Sequence, residues 1–123
     1  MSAAAVGALG ALDVADIYGR GRTRFMGIEL LVAAGALVPR AETELLGNTA
    51  ADLLAAMEVR GERELRVIDM CCGSGNLACG IAHRVSQARI WATDLTDGCV
   101  LVARRNVQHL ELAERVEVRQ GDL

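Results

Sequence analysis

Apolar positions between residues 22 and 38 fall in short extended runs, and beyond residue 41 their spacing changes. Arg22 to Val32 alternates loosely, Val32-Ala-Ala-Gly35 has the composition of a turn, and Ala36 to Val38 forms a second short run closing on Pro39. A β-hairpin over 22–39 is expected from this pattern. Leu45, Leu46, Thr49, Ala50, Leu53, Leu54 and Met57 then recur at three- and four-residue steps, which predicts an amphipathic helix over 41–60 with this stripe inward. Glu42 and Glu44 fall in its first turn, where carboxylates favour the helix dipole, and Gly61 is placed to end it.

The rest of the chain alternates between strand and helix signals. Leu65 to Met70 is a short apolar run, Asn76 to Val85 reads as a helix with Leu77, Ile81 and Val85 inward, and Arg89 to Thr93 is a second strand. Thr96 to Leu110 is a second crossover helix, and Arg115 to Arg119 a third strand. The order predicts an α/β fold: a partial doubly wound, Rossmann-like parallel sheet with helices over 65–123, preceded by the hairpin. Residues 1–16 are an Ala-rich leader, and 17–123 have room for one domain.

Charge and composition narrow the function classes. The formal net charge is -3, and every basic residue is an arginine, with no basic stripe to track a long nucleic acid. The leader lacks a basic start, its apolar run is broken by glycine, and Asp13 and Asp16 follow, so neither a signal peptide nor a membrane span is expected. The cysteines at 71, 72, 79 and 99 contain no Cys-x-x-Cys pair. Reduced thiols in a cytoplasmic protein are the expectation, and no metal site is assigned; Cys79 and His83 share helical spacing only.

The segment from Val67 to Ala78 carries the candidate chemistry. A strand that turns into a helix through glycines lets backbone amides approach a ligand. Gly73, Gly75 and Ala78 satisfy G-x-G-x-x-A, a weak signal when taken alone. Asp94 ends the next strand about twenty residues on, where a carboxylate accepts hydrogen bonds from ribose hydroxyls. The plainer role for Asp94 is to cap the helix starting near Thr96. Asp69, just before the loop, would repel a pyrophosphate and favour a cationic ligand. Cys71 and Cys72 lie near a helix N-terminus, which lowers thiol pKa and leaves a reactive role open.

Asp69-Met-Cys-Cys-Gly-Ser-Gly75 resembles motif I of the class I S-adenosylmethionine-dependent methyltransferases, with Asp94 as the acidic residue after the second strand. Gly121-Asp122-Leu123 resembles the third-strand motif that brackets the adenine. Phe25-Met-Gly27 followed by Leu37-Val-Pro-Arg-Ala-Glu-Thr-Glu-Leu-Leu46 is similar to the hairpin and Pro-Arg-x-Glu-Thr-Glu signature of the HemK-type protein N5-glutamine methyltransferases. Ala103, Arg104 and Asn106 fit the same family. The resemblance implies S-adenosylmethionine as cofactor, held by Asp69, Cys71, Gly73, Ser74, Gly75, Asp94, Asp122 and Leu123, with Arg40 and Thr43 packed over the pocket. It also implies a glutamine or related amide or amine nitrogen as acceptor. Cys71 stands where that family has glycine. The family's Asn-Pro-Pro-Tyr acceptor motif does not occur in these residues, and no catalytic residue is nominated.

Two further readings stay open at this point: a catalytically silent scaffold that binds the same cofactor, and an NAD(P)-dependent oxidoreductase resting on G-x-G-x-x-A. In the family's usual sheet order a fourth strand pairs with the first. Without one, Leu65 to Met70 would present an open edge, with self-association or a missing second half as the expected consequence.

Overall fold

A computed structural model describes residues 15–121 of the chain. Most of the Ala-rich leader, and Asp122 and Leu123 of the adenine-bracketing motif, lie outside the described residues. After a helical stretch at 15–20, the elements are β1 (Arg22–Phe25), β2 (Ile28–Leu31), α1 (Thr43–Val59), β3 (Leu65–Met70), α2 (Asn76–Arg84), β4 (Ala88–Asp94), α3 (Asp97–His109) and β5 (Val116–Gln120). β1 and β2 pair antiparallel, while β3, β4 and β5 form a parallel sheet in that order.

The hairpin is shorter than expected, and its turn lies elsewhere. Phe25 pairs with Ile28 across a two-residue loop, Met26-Gly27, with φ of 49° and 78°. Positive φ at both positions matches the right-handed twist of the flanking strands. Val32-Ala-Ala-Gly35 is not the hairpin turn, and Ala36 to Val38 is not a strand. Residues 32–42 form an irregular connector instead. Gly35 keeps its φ of 105° for a different purpose: a Cβ there would sit 3.1 Å from the backbone of Gly98, so connector and α3 touch through two glycines.

Helix α1 also presents a different face from the one expected. Gly47, Ala51 and Leu54 point into the core, and Ala50 and Met57 are packed at its edge. Leu45, Leu46 and Leu53 are exposed, at 74%, 59% and 63%. The cause is close approach: the Met26 side chain lies against Gly47 on one side and Gly80 of α2 on the other. A leucine stripe there would hold the helices apart.

The sheet buries one face, through Leu65 and Asp69 of β3, Ala88, Ile90 and Ala92 of β4, and Val116 and Val118 of β5. This is the period-two pattern of strands covered on one side. On the opposite face Arg66, Ile68, Met70, Arg89, Glu117 and Arg119 are exposed. Among the described residues β3 pairs with β4 alone. Arg115 donates to the carbonyls of Ala82, Val85 and Ala88 at 2.8–3.1 Å, which satisfies acceptors where α2 ends and β4 begins.

Candidate functional site

The loop from Cys71 to Gly75 joins the carboxyl end of β3 to α2 and contains three left-handed residues: Cys71 (φ 59°), Gly73 (φ 55°) and Gly75 (φ 81°). Gly75 is required on two counts. It is the N-cap of α2, and a Cβ on it would stand 3.2 Å from the Cβ of Ala103 on α3. A Cβ on Gly73 would meet nothing within 4 Å, so backbone conformation alone selects glycine there and the loop faces open space. Cys71 holds the same conformation with a side chain attached, at a cost of about 1–2 kcal/mol.

Two carboxylates frame this loop. Asp69, on the buried face of β3, is 9% exposed and accepts from the Ala78 amide at 3.2 Å. Burial pushes its carboxyl up to about 6; the Ala78 bond opposes the rise and the Asp94 charge adds to it. Asp94 accepts from Gly73 N–H at 3.0 Å and from Thr96 N–H at 3.3 Å. Burial works against its ionisation, but the amides of Gly73, Thr96 and Leu95 and the Cys99 thiol outweigh it, leaving the carboxyl below its ordinary value. Helix capping falls mainly to Thr96, whose hydroxyl accepts from Cys99 N–H at 3.2 Å. Asp94 instead ties the end of β4 to the glycine loop.

Cys72 and Cys79 are held in the thiol form. Burial, followed by the nearby Asp69 and Asp94 charges, pushes the Cys72 thiol up to about 12. Cys79, fully buried, is likewise pushed up to about 12. A reactive Cys72 is therefore set aside, because neighbouring carboxylates and burial outweigh the helix N-terminus. His83 is exposed while Cys79 is enclosed, so that pair does not converge on a common site.

A cleft of about 730 Å³ opens between the loop and the connector. Asp69, Cys71, Cys72, Gly73 and Ser74 line one wall, and Pro39, Arg40 and Thr43 the other. Arg40 and Thr43 thus reach the cleft, although the Arg40 side chain is 81% exposed and lies 3.7 Å from Glu42. Asp94 and Gly75 do not border the cleft; Asp94 acts on it through Gly73, and Gly75 is pressed against α3. Tyr18 and Phe25, the chain's only tyrosine and phenylalanine, also line it, with the Tyr18 hydroxyl donating to Ala36 O at 2.9 Å. Sequence patterns gave no role to Tyr18. A separate groove of about 510 Å³ between α3 and β5 contains neither the loop nor its two carboxylates.

Two other residues hold the site together. Glu44 accepts from Met26 N–H at 2.7 Å, which fixes the hairpin tip to the start of α1, a specific task beyond favouring the helix dipole. Asn106, fully buried on α3, bonds both the end of β2 and the carbonyl of Ser74. Its signals in the sequence were the family resemblance and its place as an asparagine on an otherwise apolar helix face.

Known proteins resemble this chain over most of its length. Residues 67–123 match a methyltransferase domain family. The release factor glutamine methyltransferase of Streptomyces coelicolor is 38% identical over 102 residues, 83% of this chain and 34% of that protein. The enzyme of the same description from Moorella thermoacetica is 33% identical over 105 residues, 85% of this chain and 35% of that protein. The chain therefore spans about a third of the length of the curated relatives it matches. Among solved structures, the N-terminal domain of human METTL16 in complex with SAH superposes with a TM-score of 0.62 at 18% identity, covering 90% of this chain and 41% of that one. That likeness establishes the fold. These matches make residues 67–123 similar to a methyltransferase domain, and the aligned stretch similar to about a third of the release factor glutamine methyltransferases.

Proposed function

We propose that the chain forms the cofactor-binding part of an S-adenosylmethionine-dependent methyltransferase whose acceptor is the amide nitrogen of a protein glutamine. The observation that carries the reading is Asp69: a buried carboxylate at the wall of an open cleft, held by one backbone amide and, among the described residues, in an ion pair with no cation. The α-ammonium of S-adenosylmethionine supplies that cation, whereas a dinucleotide pyrophosphate would bring like charge to the same place. Gly73, with open space above it, leaves room for a ligand to lie on the loop. The residues present therefore fit the cofactor.

When bound, S-adenosylmethionine supplies a methyl group activated by a sulfonium. The chain's own residues bind and orient. Asp69 would hold the amino-acid end; Asp94, just beyond the cleft and tied to Gly73, would take the ribose hydroxyls of a ligand that extends past the loop; and Gly73 and Ser74 would line the edge between them. Arg40 on the connector and Thr43 at the start of α1 would cover the pocket, and the resemblance assigns Asp122 and Leu123 to the adenine. Excluding water between such walls and fixing the reacting groups in line is the protein's main contribution to methyl transfer. The glutamine acceptor rests on the relatives, which are glutamine methyltransferases of release factors. Four free thiols favour a reducing compartment, and we place the protein in the cytoplasm. No helix among the described residues is long and apolar enough to cross a membrane.

Calorimetric titration with S-adenosylmethionine, S-adenosylhomocysteine and NAD tests the reading. Saturable binding of the two sulfur ligands and none of NAD is expected. Asp94→Ala should weaken that binding by about 1.5–3 kcal/mol, the range for hydrogen bonds to a charged group. Binding of NAD alone, or unchanged affinity in a folded Asp94→Ala variant, would remove the proposed ligand or the proposed role of Asp94.

A further inference from the structure

Asn106 is a polar side chain with no exposed surface, in the last turn of α3 among buried residues. Burying an amide is unfavourable unless its hydrogen bonds are made. Here three are made, and all of them cross between elements. Oδ1 accepts from Leu31 N–H at 2.6 Å, and Nδ2 donates to Leu31 O at 3.1 Å. The second Nδ2 proton goes to Ser74 O at 2.8 Å. The side-chain amide thus pairs with Leu31 as a neighbouring strand would, using both backbone groups of that residue. Its remaining donor grips the peptide between Gly73 and Gly75.

The positions of these partners give the contact a direction. Ser74 is buried and lies at the centre of the glycine loop, whose neighbouring residues line the cleft. Leu31 is the last residue of β2, from which the connector leaves to reach Arg40 and Thr43 on the opposite wall. One side chain, only two torsions long, therefore joins one wall of the cleft to the root of the other. An apolar residue of the same size would fill the space and join nothing, while aspartate would keep the bond from Leu31 N–H and lose both donors.

We propose that Asn106 is a positioning residue that transmits occupancy of the glycine loop to the hairpin and the connector it roots. The inference rests on the cofactor reading above. A ligand that restrains the Ser74 peptide restrains the Asn106 amide, and with it the amide of Leu31, which a cofactor on the loop does not itself need to touch.

Residue-resolved hydrogen exchange of the purified chain, with and without S-adenosylhomocysteine, tests this. With ligand at a hundred times its Kd, exchange at Ala78, beside the loop, and at Leu31, on the hairpin, is expected to slow together, by up to about a hundredfold. In Asn106→Ala and Asn106→Asp the ligand should still protect Ala78 and no longer protect Leu31. Protection of Ala78 without Leu31 in the unsubstituted chain would overturn the inference, and this arm stands even if neither variant folds. Equal protection of Leu31 in a folded variant would overturn it too. No protection at Ala78 in the unsubstituted chain would remove the cofactor reading itself and the inference with it.

Discussion

Asp69→Asn separates the cost of a buried carboxylate from its use. In the folded chain the carboxyl titrates at about 6, against 3.8 for the unperturbed group. Because the folded value is raised, the stability that the protonated form contributes is complete below about pH 4 and is lost as pH rises through 6. A rise from 3.8 to about 6 corresponds to roughly 3 kcal/mol of stability forgone at neutral pH. Asparagine is isosteric and neutral, and its Oδ1 can still accept from Ala78 N–H. The rise to about 6 is already net of that bond. The ligand-free variant should therefore be more stable than the parent by about 2–3 kcal/mol at pH 7.5, and close to it at pH 4. Urea titrations at a series of pH values measure this directly. Cofactor affinity should move the other way. Binding of S-adenosylmethionine to the parent should weaken about tenfold for each pH unit below 6, because the ammonium requires the ionised carboxylate. In the variant binding should be weak throughout and nearly flat over that range. A variant no more stable at pH 7.5 than at pH 4 relative to the parent, or one that binds as tightly as the parent, would refute the account of Asp69.

Two substitutions test the strained loop. Gly75→Ala should cost about 2 kcal/mol or more, from a left-handed φ and a methyl group forced against Ala103, and should lower Tm with little recovery on adding ligand. Cys71→Gly should leave stability unchanged or raise it by up to about 1 kcal/mol, since relief of the left-handed strain is partly offset by the greater freedom of glycine when unfolded. A loss above about 1 kcal/mol in denaturant titration would show that the Cys71 side chain makes a stabilising contact.

The parallel βαβαβ unit was legible in the sequence because each strand and helix is a short, strongly periodic run, and the observed ends lie within a residue or so of those expected. The start of α3 was placed near Thr96, although the cap was read onto Asp94 rather than Thr96, and Asp69 and Asp94 stand at the strand ends where they were expected. The hairpin turn was not, because Met26-Gly27 lacks the asparagine or aspartate that usually marks two left-handed residues in a row. The inward face of α1 was misplaced for a related reason. Hydrophobic periodicity finds bulky residues, whereas Gly47 and Ala51 face inward because another side chain needs the room. Glu44 and Asn106 stood out through the family resemblance, but their tasks were hidden by distance: their partners are 18 and 32–75 residues away, and nothing local marks such a bond.

The methionine at the hairpin tip has a consequence for how this sequence can vary. Its thioether occupies a slot floored by Gly47 and walled by Gly80, so three positions on three separate elements share one volume. A methyl group at either glycine would run into the Met26 sulfur, and a branched residue at the tip would run into both helices. The three positions should therefore drift through evolution as a set, with alanine at 47 or 80 accompanied by a smaller residue at 26. Single changes there should be rarer than their small size would predict.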